Sequence, residues 1–259
     1  SDTLSMYPVQ DSEKWFEIPV VATNICDYDR SFGVEVDDKA SNAIEKKQYV
    51  VESNTVTIKA GERVAKFRMK GIYENIDKTD SLSVTFNLLA KDENVWDLYG
   101  TRTRVQMQKA CPFELSTFEG YCLLTSSFFS AYMTNTEHRL LQAERDKTED
   151  NTIILHDFFY KNYDLKIKYD PSDPLKPFVE FDDQIIGSTA EAFGTIYGNG
   201  KLMCTQPVAY DSYYNVCQKF VFLYSTIYVV GKGTVGTYVN ILEWISDEEA
   251  EQYKKEEGL

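Results

Sequence analysis

Histidine is almost missing from this chain of 259 residues, with His138 and His156 the only two. A nucleophile–histidine dyad or a histidine-built metal site therefore has little to draw on. Neither residue belongs to an HExxH or GxSxG pattern. His156 lies in an apolar segment and His138 in a charged one, and both read as structural. Cysteine is sparse as well: Cys26, Cys111, Cys122, Cys204 and Cys217 form no CxxC pair and no Cys/His spacing for zinc. Five scattered cysteines do not outline a disulfide framework. Buried thiols are the expectation, with a Cys204–Cys217 bridge left open. Positive charge is short too. Lys and Arg number 27 against 41 Asp and Glu, a net charge of −14 that repels a phosphate backbone and argues against nucleic acid as a partner. The one compact basic stripe, Lys66, Arg68 and Lys70, reads as the wet face of a strand.

Long apolar runs are lacking. Phe220–Val230 is the longest, far below the ~20 residues of a spanning helix. The opening segment SDTLSMYPVQDSEKW has no apolar core, so it is no secretion signal. A chain that opens on Ser is expected to be trimmed, with any signal or anchor upstream.

What the chain does have is aromatic residues, 18 Tyr and 15 Phe, which favour half-buried strands. It also has a period of two. Leu82, Val84, Phe86 and Leu88 alternate with Ser83, Thr85 and Asn87, and Ala65, Phe67 and Met69 alternate with the basic stripe. Val56 and Ile58, then Phe32, Val34 and Val36, then Phe16, Ile18 and Val20 repeat the pattern. Such alternation marks strands with one wet face. About seven of them between Trp15 and Lys109 predict an antiparallel sandwich. The alternation breaks at CPFELSTFEG, which places a domain boundary there: residues 1–109 and residues 110–259. The second half predicts strands at 121–129, 152–159, 164–169, 178–181, 192–197, 220–230 and 237–244, that is, a barrel-like antiparallel domain or a second sandwich. The segment 137–146 is ambiguous and leans to strand. The tail SDEEAEQYKKEEGL predicts a short helix, with Ser246 and Glu249 as a capping box. The fold expectation is all-β with that one helix.

Chemistry is harder to find. Gly231–Gly236 spells GxGxxG after a strand, but a dinucleotide site needs a helix next, and Thr237–Trp244 reads as a strand. A hairpin loop is expected instead. Carboxylates are plentiful, but pairing two across a cleft is invisible in sequence. Asp27, Asp29, Asp37 and Asp38 cluster near one hairpin without EF-hand spacing; Asp27 and Asp29 are weak calcium candidates, and no metal site or cofactor is expected. Trp15, Trp96 and Trp244 with Tyr210, Tyr213 and Tyr214 could stack on sugar rings. Of these, Tyr210, Tyr213, Tyr214 and Trp244 are the ligand-binding candidates.

Between residues 16 and 90 the order IPVVATN, RSFGVEV, KQYVVES-NTVTIKAGERVAKFRM, DSLSVTFNLLA resembles the immunoglobulin-like, Calx-β-like N-terminal domain of Bacteroidetes surface lipoproteins. Tyr49, Val56, Ile58, Gly61, Asp80 and Leu82 fit that pattern. From FEGYCLLTSSFF onward the chain is similar to the β-rich, lipocalin-like domain that often follows. The resemblance implies export to the outer membrane or cell surface and an anchor on an acylated N-terminal Cys, which this chain does not show. Most such proteins have no assigned activity, and some are associated with glycan capture. Calx-β domains can bind calcium, but the acids here do not follow that pattern, and no site is carried over. The leading expectation is a monomeric, non-enzymatic surface lipoprotein that binds a glycan or an envelope protein. A structural subunit of a surface complex and a hydrolase with unrecognised carboxylates are the alternatives.

Overall fold

A computed structural model describes residues 3–91, 95 and 100–257. The chain divides into two compact units, Ser1–Cys111 and Pro112–Leu259.

The described residues of the first unit form a sandwich of eight strands: β1 (Thr3–Val9), β2 (Phe16–Val21), β3 (Arg30–Val36), β4 (Tyr49–Val51), β5 (Thr55–Ile58), β6 (Val64–Gly71), β7 (Leu82–Leu89) and β8 (Arg102–Lys109). One sheet runs β1-β8-β7-β3-β5 and the other β2-β6-β4. Tyr49, Phe67, Met69, Val84, Phe86, Val105 and Met107 fill the space between them. Seven strands follow Trp15, as the alternation predicts. Strand β1 was not legible, because only Tyr7 and Val9 of its seven residues are buried. It also breaks the antiparallel rule, pairing with β8 in parallel. Val9 packs where a side chain at position 71 would be: a Cβ there would lie 2.7 Å from Val9 Cγ1, and the Gly71 amide donates to Tyr7 Oη at 3.0 Å.

Strand β7 differs from expectation on its polar side. Ser83 and Thr85 are buried, not wet. The loop after β3 runs beside them and supplies the missing hydrogen bonds. Ser83 N donates to Asn42 Oδ1 at 2.6 Å, and Thr85 N donates to Ser41 Oγ at 2.9 Å.

The second unit is a closed eight-stranded antiparallel barrel. Its strands are β9 (Gly120–Ser126), β10 (Arg139–Arg145), β11 (Thr152–Leu155), β12 (Leu165–Asp170), β13 (Phe178–Glu180), β14 (Gln184–Ser188), β15 (Lys201–Thr205), β16 (Ser212–Asn215), β17 (Phe220–Val229) and β18 (Gly233–Ile245). Ten segments make eight positions because two positions are split. The N-terminal part of β17 pairs with β16, its C-terminal part pairs with β15, and its other edge pairs with β18, which closes onto β9. β13 and β14 share a position in the same way. Glutamine amides mend the break. Gln184 Oε1 accepts from Lys166 N at 2.8 Å, its Nε2 donates to Lys166 O at 2.9 Å, and Gln206 Oε1 accepts from Phe181 N at 3.2 Å. A side-chain amide carries both donor and acceptor groups, so it can stand in for a backbone peptide.

The segment 137–146 is strand β10, as the sequence leans. Two expected strands are corrected. β9 ends at Ser126, whose hydroxyl accepts from Phe128 N and starts a helix, α1 (Ser127–Tyr132). Residues 192–197 are no strand: Ser188 and Glu191 form a capping box that opens α2 (Thr189–Phe193). Local capping outweighs the aromatic β preference there. The tail helix, α3 (Asp247–Glu257), forms as read. Glu249 N donates to Ser246 Oγ at 3.2 Å, and Ser246 N donates to Glu249 Oε2 at 2.8 Å. Tyr121 of β9 lies 4.4 Å under Lys254 Nζ, which docks the helix on the barrel wall.

Candidate functional site

The barrel interior is filled by side chains. Inward positions alternate along each strand, as in Val221, Leu223, Ser225, Ile227 and Val229 of β17. At the lower end the one-turn helix Leu115–Phe118 inserts Phe118, which stacks on Tyr169 at 4.5 Å and meets Trp244 edge-on at 5.1 Å. At the upper end α1 inserts Phe128, which stacks on Phe159 at 4.6 Å. Between them lies a buried polar knot. Ser126 Oγ donates to Asn240 Oδ1 at 2.6 Å, and Asn240 Nδ2 donates to Leu223 O at 3.0 Å and to Ser225 Oγ at 2.9 Å. Every arm of Asn240 is used, so the knot fixes register rather than offering itself to a ligand.

The unusual surface is the outside of the wall. A barrel strand whose inner face is core normally presents a polar outer face. Strand β17 instead presents Phe220, Phe222, Tyr224 and Tyr228 outward, all half-buried. The pairing register continues this belt across the wall as Phe178 (β13), Tyr213 (β16), Phe222 (β17) and Ile241 (β18). Tyr213 stacks on Phe222 at 5.5 Å and 11°, Phe222 meets Tyr224 at 5.2 Å, and Tyr210 stacks on Tyr224 at 5.0 Å and 21°. Tyr210 and Tyr213 each lend one ring face to this ladder and remain 53% and 38% exposed. Tyr210 comes from residues 206–211, the excursion between β15 and β16, where Val208 is fully exposed. Polar groups border the belt. Thr226 and Thr237 hydroxyls meet at 2.8 Å, and Tyr228 Oη donates to Asp183 at 2.7 Å. Hydrogen bonds from Thr205 and Tyr228 hold the Asp183 carboxyl below its usual range. Amphipathic rings beside hydroxyls and a carboxylate suit a ligand with alternating apolar and hydroxylated faces.

The sequence candidates divide. Tyr210 and Tyr213 belong to the belt. Tyr214 and Trp244 do not: they are 6% and 7% exposed and sit in the lower core with Phe118. Strand parity decides this, since Tyr214 points opposite to Tyr213. Burial pushes the Tyr214 phenol up to about 12. Trp15 is partly exposed, with Lys70 Nζ 4.9 Å above its ring, and Trp96 lies outside the described residues. Phe220, Phe222 and Tyr224 were missed. Their signal was readable: FVFLYSTIYV is apolar on both faces, and one of those faces had to be outside.

The other expectations resolve locally. Asp29 receives Lys59 Nζ at 2.7 Å and the Ala60 amide at 2.9 Å, so its oxygens serve a turn, while Asp27 is exposed in the same loop. Among the described residues no three His, Cys, Asp or Glu side chains gather as metal ligands would. Two members of the basic stripe are spent on acids: Lys66 and Arg68 pair with Glu17, and Arg68 reaches Glu52 at 3.5 Å, while Lys70 lies over Trp15. The Gly231–Gly236 segment forms the β17–β18 hairpin and the start of β18, with no helix after it. His138 Nδ1 meets Thr125 Oγ1 at 2.8 Å. His156 lies between Asp164 at 3.0 Å and Glu144 at 3.3 Å, so carboxylates take both ring nitrogens. Cys122 and Cys204 are buried thiols, and burial pushes the Cys204 thiol up to about 12. Cysteine pairing corrects the sequence reading: Cys217 is disulfide-bonded, as is Cys111, while Cys204 is free, so the Cys204–Cys217 bridge does not form.

A family model described as a domain of unknown function, DUF4984, matches residues 98–256, from just before β8 through the barrel to α3. The chain belongs to the DUF4984 family. No curated protein matches it. Solved structures similar to this DUF4984 protein include a protein of unknown function from Bacteroides ovatus, 11% identical over 93% of this chain and 86% of that one, with a TM-score of 0.36. An auxiliary nutrient binding protein from Bacteroides thetaiotaomicron is 11% identical over 93% and 89%, at 0.30. The calcium binding domain CBD12 of CALX1.1 is 12% identical over 66% and 81%, at 0.34. Among the described residues no helix is long and apolar enough to cross a membrane.

Proposed function

We propose that this DUF4984 protein is a non-enzymatic, exported binding protein that captures a glycan on the outer aromatic wall of its barrel. The observation that carries the reading is the belt itself. Five rings from β16, β17 and the 206–211 excursion form one ladder on a surface that a scaffold barrel would leave polar. Tyr210 and Tyr213 are the contact residues, with Phe220, Phe222 and Tyr224 holding them upright. A pyranose ring presents an apolar face to the free side of a tyrosine, and its hydroxyls reach the polar border. Export is supported by the disulfide-bonded state of Cys111 and Cys217, since disulfides persist in oxidising compartments. In this reading the full-length protein is a monomer held at the outer membrane or cell surface by an N-terminal lipid. An envelope protein as partner is the second reading, favoured by the fully exposed Val208 beside the belt.

The test is a glycan array probed with the folded chain and with Tyr210→Ala and Tyr213→Ala. The reading expects a defined set of glycans to bind the parent chain, and each substitution to weaken binding about tenfold or more. Absence of any glycan binding by the folded parent chain rejects it.

A further inference from the structure

The upper end of the barrel contains a cation with a buried donor that the protein leaves unpaired. Arg139 opens β10 opposite Leu124, and strand parity places it on the inward side with Leu141 and Ala143. Its Nη2 donates to the backbone carbonyl of Asp157 at 2.8 Å. Its Nε is sealed from solvent without a hydrogen-bond partner. Among the described residues no carboxylate forms an ion pair with it and no ring lies under it, although the chain carries 41 acids. Asp157 acts on Arg139 through its charge but makes no ion pair with it, so the buried Nε stays a donor without an acceptor, which is costly to keep.

A second orphan stands beside it. The Tyr160 hydroxyl is buried with no partner. Its ring is held in place, because it packs where a Cβ of residue 187 would be, 2.6 Å from Tyr160 Cδ2, a space only glycine leaves free. Arg139 and Tyr160 are electrostatic neighbours. Around them Phe128 meets Tyr160 at 6.5 Å, Tyr132 meets Phe193 at 5.3 Å, and Tyr197 and Ile196 stand exposed on the rim. The pair thus presents a planar fork of donors and a phenol O–H within an aromatic collar. Carboxylates are the natural complement of that fork.

We propose that this upper mouth is a second binding site, where Arg139 and Tyr160 take the carboxylate of a small organic acid and the collar takes its body. The site is separate from the outer belt, and the proposal stands whether or not the belt binds glycans.

The test is titration of the arginine-labelled full chain with D-galacturonate, octanoate and inorganic phosphate, reading the Arg139 Nε–Hε resonance by NMR. The proposal expects a saturable shift of that resonance with at least one of the two organic acids. The responding acid tells whether the collar prefers a sugar or an aliphatic body. Tyr160→Phe keeps the ring and removes one donor, and should weaken binding about tenfold. Arg139→Gln should abolish it. If Arg139→Gln does not fold, Tyr160→Phe carries the test. No shift with either organic acid, a response to phosphate alone, or unchanged affinity in Tyr160→Phe would each overturn the assignment.

Discussion

On two strands of the sandwich, the face turned from the core is spent on ion pairs or on a neighbouring loop. On β6 the outward Lys66 and Arg68 meet Glu17, and on β7 the hydroxyls of Ser83 and Thr85 are closed off by the loop after β3. In the barrel, β17 is buried inside and aromatic outside. Apolar area is worth roughly 25 cal/mol per Å² once removed from water, so a half-covered aromatic ladder still has free energy to release to a partner. The proposed function places recognition on the second unit because of this contrast.

The contrast breaks most readily in the barrel core. Phe159 is fully buried against Phe128. Phe159→Ala should destabilise the chain by about 3–5 kcal/mol, read as a lowered urea midpoint. An unchanged midpoint would mean that the upper plug is not core. Next comes the sandwich. Gly71→Ala puts a methyl against the branched end of Val9, and overpacking of this kind costs about 1–3 kcal/mol. Hydrogen exchange should rise on β1 and β6, and a rise confined to the barrel would contradict the division into units. Ser246→Ala removes a cap that accepts from Glu249 N and should cost about 1 kcal/mol, seen as faster amide exchange in α3.

The smallest effect is electrostatic. Partial burial pulls the His156 ring down, but hydrogen bonds to Asp164 and Glu144 outweigh it and leave its pKa above the ordinary value. A raised folded pKa means that this cluster's stabilisation is complete below about pH 6.5 and fades as pH rises through the folded value. An NMR titration of His156 should place its midpoint above the ordinary histidine value, and a midpoint below it would contradict the cluster's role.

Much of this was legible from chemistry that acts locally. Alternation revealed the strands of the sandwich, and Ser246 with Glu249 revealed α3. What escaped depends on partners distant in sequence. β1 buries only two residues and is made a strand by β8. β14, β15 and β16 are short pieces of split positions, held together by Gln184 and Gln206. The strand expected at 192–197 followed its aromatic residues, whereas the Ser188–Glu191 cap starts a helix there. Of the aromatic residues proposed from residue type, Tyr210 and Tyr213 lie on the outer belt. Tyr214 and Trp244 were misplaced because residue type carries no parity. Phe220, Phe222 and Tyr224 lie in a run largely apolar on both faces, which signals an apolar outer face without saying which residues form it.

The central claim is that the outer belt recognises and does not merely pack. The most direct measurement compares the double variant Tyr210→Ala/Tyr213→Ala with the parent chain in two readouts, urea midpoint and glycan-array signal. The account predicts a stability, read from the urea midpoint, lowered by only about 1–2 kcal/mol, since each ring keeps one face in solvent, together with loss of glycan binding. A variant that binds as the parent does, or a folded parent that binds no glycan, contradicts it.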